Sequence, residues 1–510
     1  MKLLGLDIGT GGSRAIVIGE TGHIFASATV EHHPFASPQI GWAEQSPADW
    51  WRASSAAIRE VLAADGISAD EIGAISFSGQ MHGSVLLDEN DDVLRPALLW
   101  CDQRTAKQCQ EITEKIGGQR LIELISNPAV TGFTLPKLLW VRENEPQIWA
   151  RVRSVMLPKD YVRYRLTGEK AIDMADAAGT LLLNVRERSW SEEILNELSF
   201  DAGLLPPLYE STEIVGKVAR AGAEATGLKV GTPVGAGAGD NAAGAIGMGI
   251  VAPGTASVTI GTSGVVFVVT DKPTIDLKGR IHSLCHAIPG RWHMTGVTLA
   301  AGQSLKWFRD TLGPGQSYDE LTNAAAAIPP GSEGAIWLPY LMGERTPHLD
   351  PNARAALVGL TASHTAGHLA RAVLEGVAFS LRDSLEIFRE IGAPIDAIRL
   401  GGGGARSPLW RQIQADVYGH AVETIEADEG AAFGAAILAG VGAGVWNSVD
   451  EACKEVIRVA ERTEPDLLNV ETLERNYQAY KQLYAALRPA TDIIIGAKND
   501  ERELSAESGT

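Results

Sequence analysis

The stretch LLGLDIGTGGSRAIVI near the start of the chain returns in outline as ASVTIGTSGVVFVV from Ala256, and this echo restricts the possible folds more than any other feature. In each copy a β-branched, apolar strand runs into a tight turn, Gly9-Thr10-Gly11-Gly12 or Gly261-Thr262-Ser263-Gly264, and a second apolar strand follows. That is the pattern of a hairpin. The two turns lie about half of a 510-residue chain apart, so two related halves are implied.

Between the hairpins, helical stretches alternate with short apolar strands such as Ile72 to Phe77 and Ile395 to Leu400, which is α/β patterning. A long amphipathic helix is expected from His368 to about Ile391, stopped by Gly392 with Pro394 beyond. The glycine- and alanine-rich run GAGAGDNAAGAIGMG leads into the second hairpin and sets the domain boundary near Gly249, giving residues 1–248 and 249–490. The stretch KNDERELSAESGT lacks an apolar period, and residues 491–510 read as a disordered tail. With 45% hydrophobic and 21% charged residues the chain can bury large cores. A net charge of −19 argues against nucleic acid or an anionic membrane as partner. No run of about 18 apolar residues suggests a membrane span. Four scattered cysteines, Cys101, Cys109, Cys285 and Cys453, form neither a disulfide framework nor a metal knuckle and fit a reducing cytoplasm.

Two Gly-Thr hairpins can offer backbone N–H groups and hydroxyls to a polyphosphate, because glycine lets the backbone approach closely. One such turn alone is ordinary; two at half-chain spacing read as a nucleotide clamp using Thr10, Gly11, Gly12, Gly261, Thr262 and Ser263. Asp7, at the end of the first strand, stands where it could hold Mg²⁺ through water, although a strand-end Asp is more often a turn cap. The run GGGGARS, with Gly402, Gly403 and Gly404, links a strand to a helix opened by Ser407-Pro408, a phosphate-binding arrangement that matches neither GxGxxG nor a P-loop. The run EGAAFGAA from Glu429 reads as helix packing, or as a surface for an adenine ring. Asp240-Asn241, in a glycine-rich setting, offers a general base that would accept a hydroxyl proton as a phosphoryl group arrives; a turn cap is the plainer reading. Gln80-Met81-His82-Gly83 follows a strand at its carboxyl end, where ligands of α/β proteins bind, though a lone histidine is more often structural. Asp102 and Arg104, beside Trp100, could meet sugar hydroxyls or form a surface ion pair.

Together these residues resemble the FGGY carbohydrate kinases over the chain up to about residue 490. GFTLPKLLWVREN (Gly132 to Asn144) and ALVGLTASHTAGHLARAVLE (Ala356 to Glu375) are similar to the family's two signatures. The resemblance implies a two-domain actin-like ATPase (ribonuclease H-like) α/β fold with ATP and sugar in the interdomain cleft. It implies ATP-dependent phosphorylation of D-xylulose, with Asp240 as catalytic base and Met81, His82, Asn241, Asp102 and Arg104 at the sugar. ATP and Mg²⁺ are the implied cofactors, a small-molecule sugar the partner, and a homodimer is compatible with it. Another ketose or polyol of the family, such as ribulose, arabinitol, gluconate or glycerol, is the nearest alternative. A non-catalytic sensor or a chaperone of the actin-like fold is the more distant one. Two departures stand out: Gly11 removes a hydroxyl common after Gly-Thr, and Cys101 replaces a common Asn. LPYLMGERTPH and LPKDYVRYRLTG match family blocks to which no chemistry is assigned.

Overall fold

The computed structural model describes the backbone of residues 1–426 and 429–507, with side chains up to residue 495. The chain divides into two compact units. The first holds Met1–Ala252, Val269–Met294 and a stretch ending at Arg458; the second holds Pro253–Val268, Thr295–Glu426 and the chain from Val459 onward. The first division therefore falls four residues beyond the expected Met248/Gly249 boundary, and the helix Gly430–Gly442 belongs to the first unit.

In the first unit, Lys2–Ile8 pairs antiparallel with Gly12–Gly19 and parallel with Ile72–Gly79. Gly12–Gly19 in turn pairs antiparallel with Ile24–Glu31. On the far side, Ile72–Gly79 pairs parallel with Pro233–Gly235, which pairs antiparallel with Ile214–Lys217. The second unit repeats the scheme. Gly254–Ile260 pairs antiparallel with Gly264–Thr270 and parallel with Ile395–Gly402; the latter pairs parallel with Val422–Ile425, and Val459–Thr463 closes the order antiparallel. The echo in the sequence is thus an echo in topology.

Alternation along LLGLDI places the first strand between two cores. Leu4, Leu6 and Ile8 join Trp50, Ile58 and Val61 of the helix Pro47–Leu62. Leu3 joins Phe433, Ala436 and Ile437 on the other face. The run EGAAFGAA lies in this second core as packing: a Cβ on Gly434 would sit 1.8 Å from the Ala243 carbonyl oxygen, so the helices Gly430–Gly442 and Asp240–Gly247 touch through their backbones. At the start of that helix, where the adenine alternative would lie, a Cβ added to Gly430 meets nothing within 4 Å.

The long helix of the second unit spans Ala366–Glu390, capped by a reciprocal Thr365–His368 box. The last helix, Leu467–Glu507, runs through residues 491–507, where the sequence suggested a tail. Absence of an apolar period does not by itself oppose a helix, and Ala497, Lys498, Glu501, Arg502, Glu503, Leu504, Ala506 and Glu507 carry high intrinsic helix propensity. Residues 508–510 lie outside those described. No helix among the described residues is long and apolar enough to cross a membrane.

Candidate active site

Register brings the candidate residues of the first unit together. Asp7 pairs with Ser78 and Ile8 with Gly79 across two parallel strands. The short strand Ala238–Gly239 adds a third, pairing Ala238 with Ser78 and Gly239 with Gly79. Three parallel strands therefore end level, and their next residues are Gly9-Thr10, Gln80-Met81-His82 and Asp240-Asn241. Carboxyl ends of parallel strands are where α/β sheets bind ligands.

The charge of Asp7 is felt at Asp240. Burial, then the charge of Asp7, pushes the Asp240 carboxyl from 3.8 up to about 7, opposed by the Asn241 amide. Burial also raises Asp7, against the pull of Ser78 and Arg14. One Asp7 oxygen, Oδ1, is buried with no hydrogen-bond partner among the described residues. Asn241 donates through Nδ2 to the Met81 sulfur at 3.7 Å, joining the stretch Gln80–Gly83 to Asp240-Asn241.

His82 has φ of +68°, a left-handed conformation that costs a side-chain-bearing residue roughly 1–3 kcal/mol. Its Nδ1–H donates to the Gly179 carbonyl at 2.8 Å, which makes Nε2 the acceptor of the neutral ring. The ring packs 4.4 Å from that of Phe133.

The first turn is braced by Gln80 and Trp100, which the sequence offered for other reasons, and by Gln45, which it did not single out. The Thr10 hydroxyl donates to Gln80 Oε1 at 3.2 Å and accepts from Trp100 Nε1 at 2.9 Å. Gln45 Nε2 donates to the Thr10 carbonyl at 3.2 Å. At Gly11 an added Cβ meets nothing within 4 Å, so the missing hydroxyl leaves open space. A Cβ on Gly12 would lie 2.9 Å from the Val30 carbonyl oxygen.

Asp102 and Arg104 are not available to a sugar in the way the sequence suggested. Asp102 is fully buried, accepting from the Ala43 amide at 2.7 Å and from Arg104 Nη2 at 2.7 Å. Arg104 also donates to Glu44 at 2.7 Å and stacks 3.6 Å over Trp42. Their polar atoms are spent on the protein, where they fix the turn that carries Trp100.

A further buried cluster lies in the block LPKDYVRYRLTG. The Lys159 ammonium contacts Asp160 and Asp173 at 2.6 Å and Asp176 at 3.1 Å, all at 0% exposure. Arg163 adds a second cation, 2.9 Å from Asp160. The three carboxylates stand close enough for a metal, but the ammonium already occupies that role. Burial pushes the Asp176 carboxyl well up, with Lys159 opposing. Asp173 caps the helix Met174–Ala178 by accepting from the amides of Ala175 and Asp176, and that helix leads to Gly179 beside His82.

In the second unit, Ile260 pairs with Gly402, so the turn Gly261–Ser263 stands beside the loop Gly402–Gly404. The turn is closed by the Gly261 amide on the Ser263 carbonyl at 2.9 Å. The start of the helix Gly302–Leu312 joins it, with Gly302 donating to the Gly261 carbonyl at 2.9 Å and Gln303 to that of Thr262 at 3.1 Å. Gly402 has φ of +71° and sits so near Ile260 that a Cβ would fall 2.5 Å from its carbonyl oxygen; both reasons require glycine. Gly261, Thr262 and Gly403 are exposed. An exposed hairpin turn beside a glycine loop that opens a helix suits an anionic ligand.

A duplicated α/β sheet with paired carboxylates and glycine turns at its strand ends suits phosphoryl transfer, and the family models make the class that of the carbohydrate kinases. The N-terminal domain of the FGGY family of carbohydrate kinases matches residues 2–247 and its C-terminal domain matches residues 256–443. The chain belongs to the FGGY family of carbohydrate kinases. It is 41% identical over 482 residues to a xylulose kinase from Bacillus subtilis (strain 168), covering 94% of this chain and 96% of that protein. A xylulose kinase from Escherichia coli (strain K12) is 39% identical over 487 residues, covering 95% and 99%. The crystal structure of a xylulose kinase from Rhodospirillum rubrum superposes with a TM-score of 0.90 at 30% identity, covering 96% of this chain and 100% of that one.

Proposed function

We propose that the protein transfers the γ-phosphoryl group of ATP to the 5-hydroxyl of D-xylulose, giving D-xylulose 5-phosphate and ADP. The observation that carries this reading is the Asp7–Asp240 pair at the level ends of parallel strands, with Met81, His82 and Asn241 on the adjoining residues. Asp240 takes the hydroxyl proton as the sugar oxygen bonds to the γ-phosphorus and the bond to ADP breaks. A base titrating at about 7 is matched to that task near neutral pH. The His82 ring meets a sugar hydroxyl, and the Asn241 amide meets another. Asp102 and Arg104 act behind this layer, as supports of the Trp100 turn.

The orphaned Oδ1 of Asp7 fits a divalent cation held directly or through water. Mg²⁺, if bound there with ATP, would supply neutralisation of the phosphoryl charge, with Asp7 as the residue that would hold it. The turn Gly261–Ser263 and the loop Gly402–Gly404 hold the nucleotide phosphates through backbone N–H groups and hydroxyls. The relatives named xylulose kinase favour this sugar over other ketoses and polyols. Four cysteines scattered along the chain fit a cytoplasmic setting.

The test is ADP release over D-xylulose, D-ribulose, D-arabinitol, D-gluconate and glycerol. The expected outcome is the highest kcat/KM for D-xylulose, reduced about 10²–10⁴-fold in a folded Asp240→Asn variant. A higher kcat/KM for any other sugar replaces xylulose in the reading, and turnover of Asp240→Asn within a few-fold of the parent removes Asp240 as base.

A further inference from the structure

The first signature segment contains a lysine, Lys137, that is 0% exposed and has apolar neighbours in sequence on its helix. Burial pulls its ammonium down to about 7, with Asp102 opposing. A buried amine is costly, and an apolar side chain of similar length would fill the same space, so its retention points to what the amine does. Its donors go to two backbone carbonyls, those of Gly132 and of His82, the latter at 3.0 Å. The hydroxyl of Thr134, also buried, donates to the same His82 carbonyl at 3.2 Å.

The other side of His82 is held by the segment after Met174–Ala178, through Nδ1–H to the Gly179 carbonyl. A Cβ on Gly179 would lie 2.6 Å from the imidazole, so that backbone lies against the ring. The two jaws are joined to one another, because the Leu135 amide donates to the Thr180 carbonyl at 2.9 Å. Phe133, one residue before the helix, supplies the face on which the ring packs. A left-handed residue persists only when its surroundings over-determine it, and here the carbonyl and the ring are each fixed by a different segment.

We propose that Lys137 and Thr134 are positioning residues for sugar recognition, clamping the His82 carbonyl so that its ring is held in the left-handed pose that meets the sugar. This rests on the reading of His82 as a sugar contact. Their hydrogen bonds go to the carbonyls of His82 and Gly132, and neither residue is among the groups assigned to ATP or to proton transfer, so their effect falls on sugar KM.

The experiment compares Thr134→Val, Thr134→Ser, Lys137→Met and His82→Ala, each checked for folding by circular dichroism, with KM for D-xylulose and for ATP measured separately. Loss of one hydrogen bond to a buried carbonyl is expected to raise sugar KM roughly 5- to 30-fold in Thr134→Val and Lys137→Met, with ATP KM within twofold. Thr134→Ser, which keeps the hydroxyl, stays near the parent. In the His82→Ala background, Thr134→Val adds less than twofold, because the group it positions is gone. If Lys137→Met does not fold, Thr134→Val and its serine rescue decide alone. A rise in sugar KM for His82→Ala without one for Thr134→Val overturns the positioning role and leaves His82 as a contact. No rise even for His82→Ala overturns the contact reading, and the proposal with it. Equal rises in sugar and ATP KM reduce the clamp to a structural support.

Discussion

The raised carboxyl of Asp240 makes its role as base testable by pH alone. A group titrating at about 7 is ionised to about one-tenth at pH 6 and about one-hundredth at pH 5. A carboxyl at the ordinary 3.8 would remain more than nine-tenths ionised at pH 5. With ATP and Mg²⁺ saturating and D-xylulose well below KM, kcat/KM is therefore expected to fall about tenfold per pH unit below 7. ADP quantified directly by ion-exchange chromatography avoids coupling enzymes that fail in acid. Asp7→Asn removes the like charge that helps raise Asp240, so its residual activity should show the acid limb moved to lower pH. The same shift has a stability signature. An aspartate whose folded pKa is raised gives stability that is present below pH 3.8 and is lost as pH rises through about 7. The rise amounts to on the order of 4 kcal/mol against the ionised form, less whatever the partial exposure of the side chain screens. Asp240→Asn should accordingly melt higher than the parent at pH 8 and match it near pH 4, while turning over slowly. A parent kcat/KM constant within twofold from pH 8 to 5.5, in protein shown to be folded, refutes the raised base.

Other perturbations follow from single contacts. Gly11→Ser places a hydroxyl into open space beside the first turn, so the melting temperature should change by no more than about 2 °C; ATP KM measured alongside should be equal or lower. Trp100→Phe deletes the 2.9 Å donor to the Thr10 hydroxyl and is expected to raise ATP KM roughly 3- to 10-fold while sugar KM stays within twofold. Lys159→Met leaves three buried carboxylates around Asp160 without their shared ammonium and should cost about 3–5 kcal/mol in denaturant unfolding; a loss below about 1 kcal/mol would show the cluster to be neutral in the folded protein.

What could be read ahead of the structure was whatever depends on local pattern. Glycine turns between apolar strands announce themselves, and so Thr10, Asp240 and the loop from Gly402 stood out as candidates. Asp102 and Arg104 did not read correctly because Asp-x-Arg looks like an exposed pair. Their burial comes from Trp42, Glu44 and Ala43, about sixty residues earlier in the chain, and from Trp140 on the signature helix. Lys137 had a visible signal, a lone lysine within an apolar helical run, but its partner is the carbonyl of His82, which no side-chain motif encodes. The cluster at Lys159 is similar: Lys159-Asp160 and Asp173-x-x-Asp176 each look like surface charge, and only their meeting makes them a neutralised core.

The duplicated sheet also shows why the chemistry is unevenly shared. The strand pairing that joins Asp7 to Ser78 and Ile8 to Gly79 in the first unit recurs as Thr259 to Gly401 and Ile260 to Gly402 in the second. At corresponding positions, the first unit therefore presents a carboxylate and the second a neutral hydroxyl. The additional short strand Ala238–Gly239, which carries Asp240 to the level of the others, pairs within the first unit. Two strand-end carboxylates can raise each other's affinity for a proton or a divalent cation, which a base and a metal ligand both require. A strand end without carboxylates repels no phosphate and leaves its backbone N–H groups to the nucleotide. Placing an acid in the second copy by Thr259→Asp should thus weaken ATP binding without creating a second base. A rise in ATP KM with unchanged sugar KM is the expected result, and an unchanged ATP KM would remove the turn Gly261–Ser263 from the nucleotide site.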